Sequence, residues 1–160
     1  MTTKKIILIT GASSGIGKAT ALQLIKEGHT VYGAARRVEK MQELVEAGGH
    51  AIAMDITDEA QVKTGVQKVM DEQGRIDVLV NNAGYGLYGA VEDIPLEDAR
   101  RQFEVNIFGL ASITKEVLPH MRQQKSGQII NMSSMGGKMY TPLGAWYLAT
   151  KHALEGWSDA

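Results

Sequence analysis

Short apolar runs alternate with amphipathic stretches along most of the chain. Lys5 to Ile9 is an unbroken run that stops at Thr10-Gly11, the pattern of a strand buried on both faces. Ile16 to Glu27 then carries apolar residues at Ile16, Ala19, Ala21, Leu22 and Ile25, close to a helical stripe, and Gly28 closes it. Thr30 to Ala35 predicts a second strand, Glu39 to Ala47 a short helix ended by Gly48-Gly49, and His50 to Met54 a third strand. Asp58 is an N-cap for a helix to about Glu72, with Val62, Val66, Val69 and Met70 on its inner side. Ile76 to Val80 predicts the fourth strand. From Pro95 to about Gln124 the pattern is helical, with Gly109 and Pro119 as expected interruptions. Gln128 to Met132 predicts a fifth strand, and Gly136-Gly137, Pro142 and Gly144 a loop before a last helix from about Ala145.

No segment shows the two-residue turn of a hairpin, so the alternation predicts an α/β fold, a doubly wound parallel sheet with helices on both faces. No repeat or linker divides residues 1–160, which read as a single domain. The last helix reaches Trp157-Ser-Asp-Ala160 with no cap and no following strand. The expectation is an N-terminal portion of a longer protein, truncated before its C-terminal strands.

At 160 residues, 44% hydrophobic and 22% charged, the chain can bury a real core. A formal net charge of -1 without blocks of like charge points away from nucleic acid. The absence of cysteine excludes a disulfide framework and thiolate metal sites, and fits a cytoplasmic home. His29, His50, His120 and His152 make no ligand pair by spacing, so no metal is expected. The apolar run after Lys4-Lys5 is too short for a signal peptide or a membrane span.

Candidate chemistry begins at Tyr147-Leu-Ala-Thr-Lys151. Four residues apart on a helix, the phenol and the ammonium stand one turn apart on one face. A neighbouring cation favours the phenolate and readies it as a general acid or base. Tyr140 has no such partner, because Gly144 stands four residues on. Gly11-Ala-Ser-Ser-Gly15-Ile-Gly17 lies between a strand and a helix, where backbone N–H groups and the helix N-terminus meet a phosphate. Its spacing departs from G-x-G-x-x-G, and a P-loop fails at Ala12 and Ala19, which removes the magnesium-binding hydroxyl. About twenty residues on, where an acid would hold the ribose 2′-hydroxyl, stand Arg36-Arg37. Guanidiniums pair with a 2′-phosphate, which favours NADP(H) over NAD(H). Asp55 after the third strand falls at the expected adenine edge. Asn81-Asn-Ala-Gly84 would form the second lip of a crevice if the fourth strand lies beside the first.

Thr10-Gly11-x3-Gly15-Ile-Gly17, Asn81-Asn-Ala-Gly84, Asn106, Ser134 and Tyr147-x3-Lys151, in this order, resemble the short-chain dehydrogenases/reductases across the whole chain. The resemblance implies a Rossmann-like nucleotide-binding domain and an oxidoreductase acting on a secondary alcohol or carbonyl. It implies that Tyr147 is the proton donor or acceptor, that Ser134 hydrogen-bonds the substrate oxygen, that Lys151 holds the nicotinamide ribose and acts on Tyr147, and that Asn106 supports a water in the proton relay. It further implies that Gly11, Ser13, Ser14, Gly15, Ile16 and Gly17 line the pyrophosphate and ribose, that Asp55 and Ile56 meet the adenine, and that Asn82, Ala83 and Gly84 meet the central cofactor. The run Asn-Ala-Gly-Tyr-Gly is similar to members grouped with hydroxysteroid and retinol dehydrogenases, which implies a hydrophobic alcohol or ketone. Tyr85, Leu87, Tyr88, Met132, Met135, Met139 and Trp146 are candidates to line its pocket. Family members pair their long fourth and fifth helices, so a homodimer or homotetramer is implied. The alternative from another class is a nucleotide-binding sensor on the same fold without turnover.

Overall fold

The computed structural model describes residues 3–160. Five strands, β1 (Ile6–Thr10), β2 (Thr30–Ala35), β3 (His50–Ala53), β4 (Val78–Asn81) and β5 (Gln128–Asn131), form one sheet in the order β3-β2-β1-β4-β5. Every pairing is parallel, with Leu8 opposite Tyr32 on one side and Leu79 on the other. The helices are α1 (Gly15–Lys26), α2 (Gln42–Glu46), α3 (Glu59–Gln73), α4 (Leu96–Phe103), α5 (Leu110–Gln124) and α6 (Ala145–Asp159). No helix among the described residues is long and apolar enough to cross a membrane.

The alternation within β1 builds two cores at once. Ile6 and Leu8 pack with Val62, Val66 and Val69 of α3 and Ile113 and Val117 of α5. Ile7 and Ile9 pack with Ala21 of α1 and with Met41 and Leu44 on the other face. Each side chain of this size contributes about 1.5–3 kcal/mol when fully buried, so the central strand anchors both layers. Tyr32 is fully buried, stacks on His50 at 4.4 Å, and donates its hydroxyl to Glu72. Burial first, then the Glu72 carboxylate, pushes its phenol up to about 12, so it is a structural tyrosine.

Asp58 caps α3 as expected, accepting from the N–H groups of Ala60 and Gln61. Three details differ from the sequence pattern. The expected helix from Glu39 is a 3-10 turn (Val38–Met41) that runs into α2. Ile16 is 65% exposed, and the buried face of α1 belongs to Gly17 and Ala21. Helical structure continues from Leu96 through Gln124, so neither Gly109 nor Pro119 breaks it. The irregularity is a π segment, Glu104–Gly109, and Pro119 sits exposed inside α5. Gly109 serves close approach: a Cβ there would lie 2.6 Å from the Ile56 side chain and 2.9 Å from its carbonyl.

Candidate active site

The order of β1 between β2 and β4 puts the loops after β1 and β4 side by side, and direct bonds join them. Asn82 donates its side-chain amide to the Thr10 carbonyl at 3.0 Å and the Gly11 carbonyl at 3.3 Å. The Asn82 and Ala83 N–H groups both donate to Thr10 Oγ1 at 3.0 Å. Gly11 holds φ +69°, and a Cβ there would lie 2.9 Å from the Ala83 Cα. Gly17 is packed harder still, since a Cβ would overlap the Asn82 amide and approach the Gly11 carbonyl at 2.5 Å. Gly17→Ala is therefore expected to force these loops apart and cost about 1–3 kcal/mol of stability, measured by chemical denaturation.

Between these loops opens a cavity of about 590 Å³. Gly11, Ser13, Ser14, Gly15 and Ile16 line it at the N-terminus of α1, Arg36, Arg37, Asp55 and Ile56 at the ends of β2 and the β3 loop, and Asn82, Ala83 and Gly84 beyond β4. Tyr147 and Lys151 of α6 close its far end. The ends of the parallel strands thus bring together most of the residues singled out in the sequence. Gly17 lies behind the loop as a packing residue, and Ser134 and Asn106 lie just outside the lining. A dinucleotide fits this site by its donor set and its space. The turn at Gly15 (φ +56°) leaves nothing within 4 Å of a Cβ position, the helix end supplies N–H groups, and Arg36 and Arg37 are exposed at the opposite end. The ion pairs among the described residues involve neither arginine. Asp55, also on the lining, accepts from the N–H and hydroxyl of Thr57 through Oδ1.

Lys151 is 9% exposed and donates from Nζ to the Met132 carbonyl at 2.7 Å. Its Nζ lies 5.8 Å from the centroid of the Tyr147 ring, so the spacing of four on a helix delivers the expected neighbourhood. Burial holds its ammonium below the usual lysine range. Ser134 accepts the Gly136 N–H at 3.1 Å and so caps the 3-10 turn (Met135–Gly137), while its own proton stays available. A Cβ on Gly136 would lie 3.5 Å from Ser134 Oγ and 3.7 Å from Tyr147 Cε1, which places the serine and the tyrosine ring beside the same glycine.

The bonds made by Asn106 go beyond the sequence reading. It is buried in the π segment, accepts the Tyr85 N–H at 3.0 Å, and donates to the Tyr85 carbonyl at 2.9 Å and Thr150 Oγ1 at 3.1 Å. Thr150 in turn donates to the Tyr147 carbonyl at 2.7 Å. One amide thus ties the loop after β4 to the helix that carries the phenol. Thr150 carried no signal of its own, because a threonine inside a helix is ordinary. Tyr140, the rival phenol, is 87% exposed. No group of three or more His, Asp or Glu side chains among the described residues could hold a metal ion.

Fold and site together define an α/β dinucleotide-binding domain with a serine, a tyrosine and a lysine beside the nucleotide crevice. Residues 5–160 match the sequence profile described as short chain dehydrogenase, and the chain belongs to that family. The chain is 45% identical over 160 residues to the 3-ketodihydrosphingosine reductase of Bacteroides thetaiotaomicron, an alignment covering 98% of this chain and 56% of that protein. Among solved structures, a short-chain dehydrogenase from Streptomyces avermitilis superposes with a TM-score of 0.95 at 41% identity, covering 99% of this chain and 60% of that one. NAD+-bound xylitol dehydrogenase superposes with a TM-score of 0.89 at 35% identity, over 94% of this chain and 60% of its own. ElxO with NADP bound gives 0.90 at 35% identity, over 97% and 65%. The chain thus spans little more than half the length of the relatives it matches.

Proposed function

We propose that this chain carries the cofactor site and the proton-transfer group of an NADP(H)-dependent oxidoreductase that interconverts a secondary alcohol and a ketone. The observation that carries the proposal is that Tyr147 and Lys151 line the same cavity as the glycine loop and Arg36-Arg37. Reducing a ketone requires a hydride and a proton, and negative charge builds on oxygen between the two arrivals. When bound, the nicotinamide supplies the hydride. Tyr147 delivers the proton to the nascent alkoxide, and Ser134, whose hydroxyl proton is uncommitted, donates to the same oxygen. The Lys151 ammonium stabilises the phenolate left behind and holds the cofactor ribose. Asn106 acts by fixing the Tyr85 segment. Its side chain is committed there and to Thr150, which ties that segment to the helix carrying Tyr147.

The substrate class rests on the rim. Tyr88, Met135, Met139 and Leu143, all exposed, sit on the two loops flanking Tyr147 and offer an adaptable apolar wall. A relative named for reducing 3-ketodihydrosphingosine supports a ketone on an apolar skeleton. Self-association would use the 95–124 segment, where Phe108 is exposed.

The test follows NADPH oxidation by the full-length protein against a panel of apolar and polar ketones and aldehydes. Turnover of the apolar ketones with little on sugars is expected. NADPH binding without turnover of any panel member would replace the enzyme by a nucleotide sensor.

A further inference from the structure

We propose that Tyr88 is a positioning residue for the phenol of Tyr147, held in place by a clasp between two loops. The inference rests on the reading of Tyr147 as the proton donor. The two rings lie 5.6 Å apart between centroids at 42°, within the range of a favourable aromatic pair. Gly86 stands beside both rings: a Cβ there would lie 3.3 Å from Tyr88 Cε2 and 3.5 Å from Tyr147 Cδ2. On the opposite edge of the Tyr147 ring a Cβ at Gly136 would lie 3.7 Å from Cε1. Glycines thus flank both edges of the ring without a side chain to fill them, and Tyr88 supplies the aromatic contact.

Tyr88 needs a reason to stay, since it is 54% exposed and sits on a loop. The next residue supplies it: the Gly89 N–H donates to the Leu143 carbonyl at 2.9 Å and joins the loop after β4 to the loop before α6. Leu143 holds φ +63°, a left-handed conformation that a leucine adopts only when its surroundings impose it. That strain stands four residues before Tyr147. Strained backbone, cross-loop bond and ring contact therefore converge on one phenol. A hydroxyl that must meet a carbonyl oxygen at hydrogen-bond distance loses rate steeply with displacement, so a swinging ring slows proton transfer without weakening the cofactor site.

The experiment compares full-length wild type, Tyr88→Ala, Tyr88→Phe and Tyr147→Phe for kcat, ketone KM, NADPH affinity and the solvent deuterium isotope effect on kcat. Tyr88→Ala is expected to lower kcat about tenfold with a larger solvent isotope effect and unchanged NADPH affinity, and Tyr88→Phe to restore the rate. Should the alanine variant not fold, Tyr88→Leu stands in for it with the same direction of effect. A change confined to ketone KM, with a wild-type isotope effect, would make Tyr88 a mere pocket wall and overturn the proposal. An inactive Tyr147→Phe beside a Tyr88→Ala of wild-type rate sinks the positioning role alone. A fully active Tyr147→Phe removes the proton-donor reading and this inference with it.

Discussion

Tyr147→Phe in the full-length protein is expected to lower kcat for ketone reduction by about 10²–10⁴-fold, the range of a lost general acid, while NADPH affinity stays near that of wild type. The change removes one oxygen. The ring keeps its contact with Tyr88, and Lys151 keeps its bond to the Met132 carbonyl. Ground-state binding therefore survives, and the loss falls on an interaction made only as the alkoxide forms, about 3–5 kcal/mol. Single-turnover kinetics with saturating NADPH would measure it, and full retention of rate would refute the mechanism. The same site sets the alkaline limb of the pH profile. Burial holds the Lys151 ammonium below the usual lysine range, so its proton leaves earlier as pH rises. Activity that depends on the charged form is present on the acid side and falls with rising pH before a solvent-exposed lysine would titrate.

The main architecture was legible because its signals are local and redundant. The run Ile6-Ile-Leu-Ile9, short, mostly β-branched and stopped at Thr10-Gly11, reads as a strand shielded on both faces, and the structure buries every residue of it. Alternation with helices then implied parallel neighbours, and the order β3-β2-β1-β4-β5 brought both loops to one crevice. The spacing of Tyr147 and Lys151 carries its geometry in the helix repeat itself. What stayed hidden depends on contacts between distant segments. A helical pattern does not distinguish a π segment from an α-helix, so the irregularity at Glu104–Gly109 carried no mark, and Gly109 read as an interruption when it is a point of contact with Ile56. Spacing alone sets Ile16 on the apolar stripe of α1, whereas the glycine-loop motif puts it at the cofactor, and the structure leaves it exposed on the cavity lining. The left-handed turn at Leu143 runs against leucine's own preference and is set by tertiary bonds alone.

Arg36→Asp combined with Arg37→Asp is expected to lower the preference for NADPH over NADH, expressed as the ratio of kcat/KM values, by about 100-fold or more. Each charge-assisted hydrogen bond to a phosphate contributes about 1.5–3 kcal/mol, and one such bond is already worth tenfold or more. Carboxylates at the same place repel a 2′-phosphate and can accept from a ribose 2′-hydroxyl, so the two terms add in the ratio. Similarity alone leaves the choice open, because the solved relatives include both an NAD+ and an NADP complex. We infer that the decision lies with the groups at the end of β2. Both guanidiniums there are exposed, line the cavity and make no ion pair among the described residues, so they meet an incoming phosphate without breaking such a pair first. Asp55, the acid on the same lining, forms no ion pair with either arginine and accepts from Thr57. Steady-state kinetics with both cofactors at fixed ionic strength would measure the ratio, since salt screens exposed charges. An unchanged preference in the double variant would mean that other groups choose the cofactor. Loss of both activities with intact folding would mean that this strand end holds the adenosine itself and does not read the 2′ position.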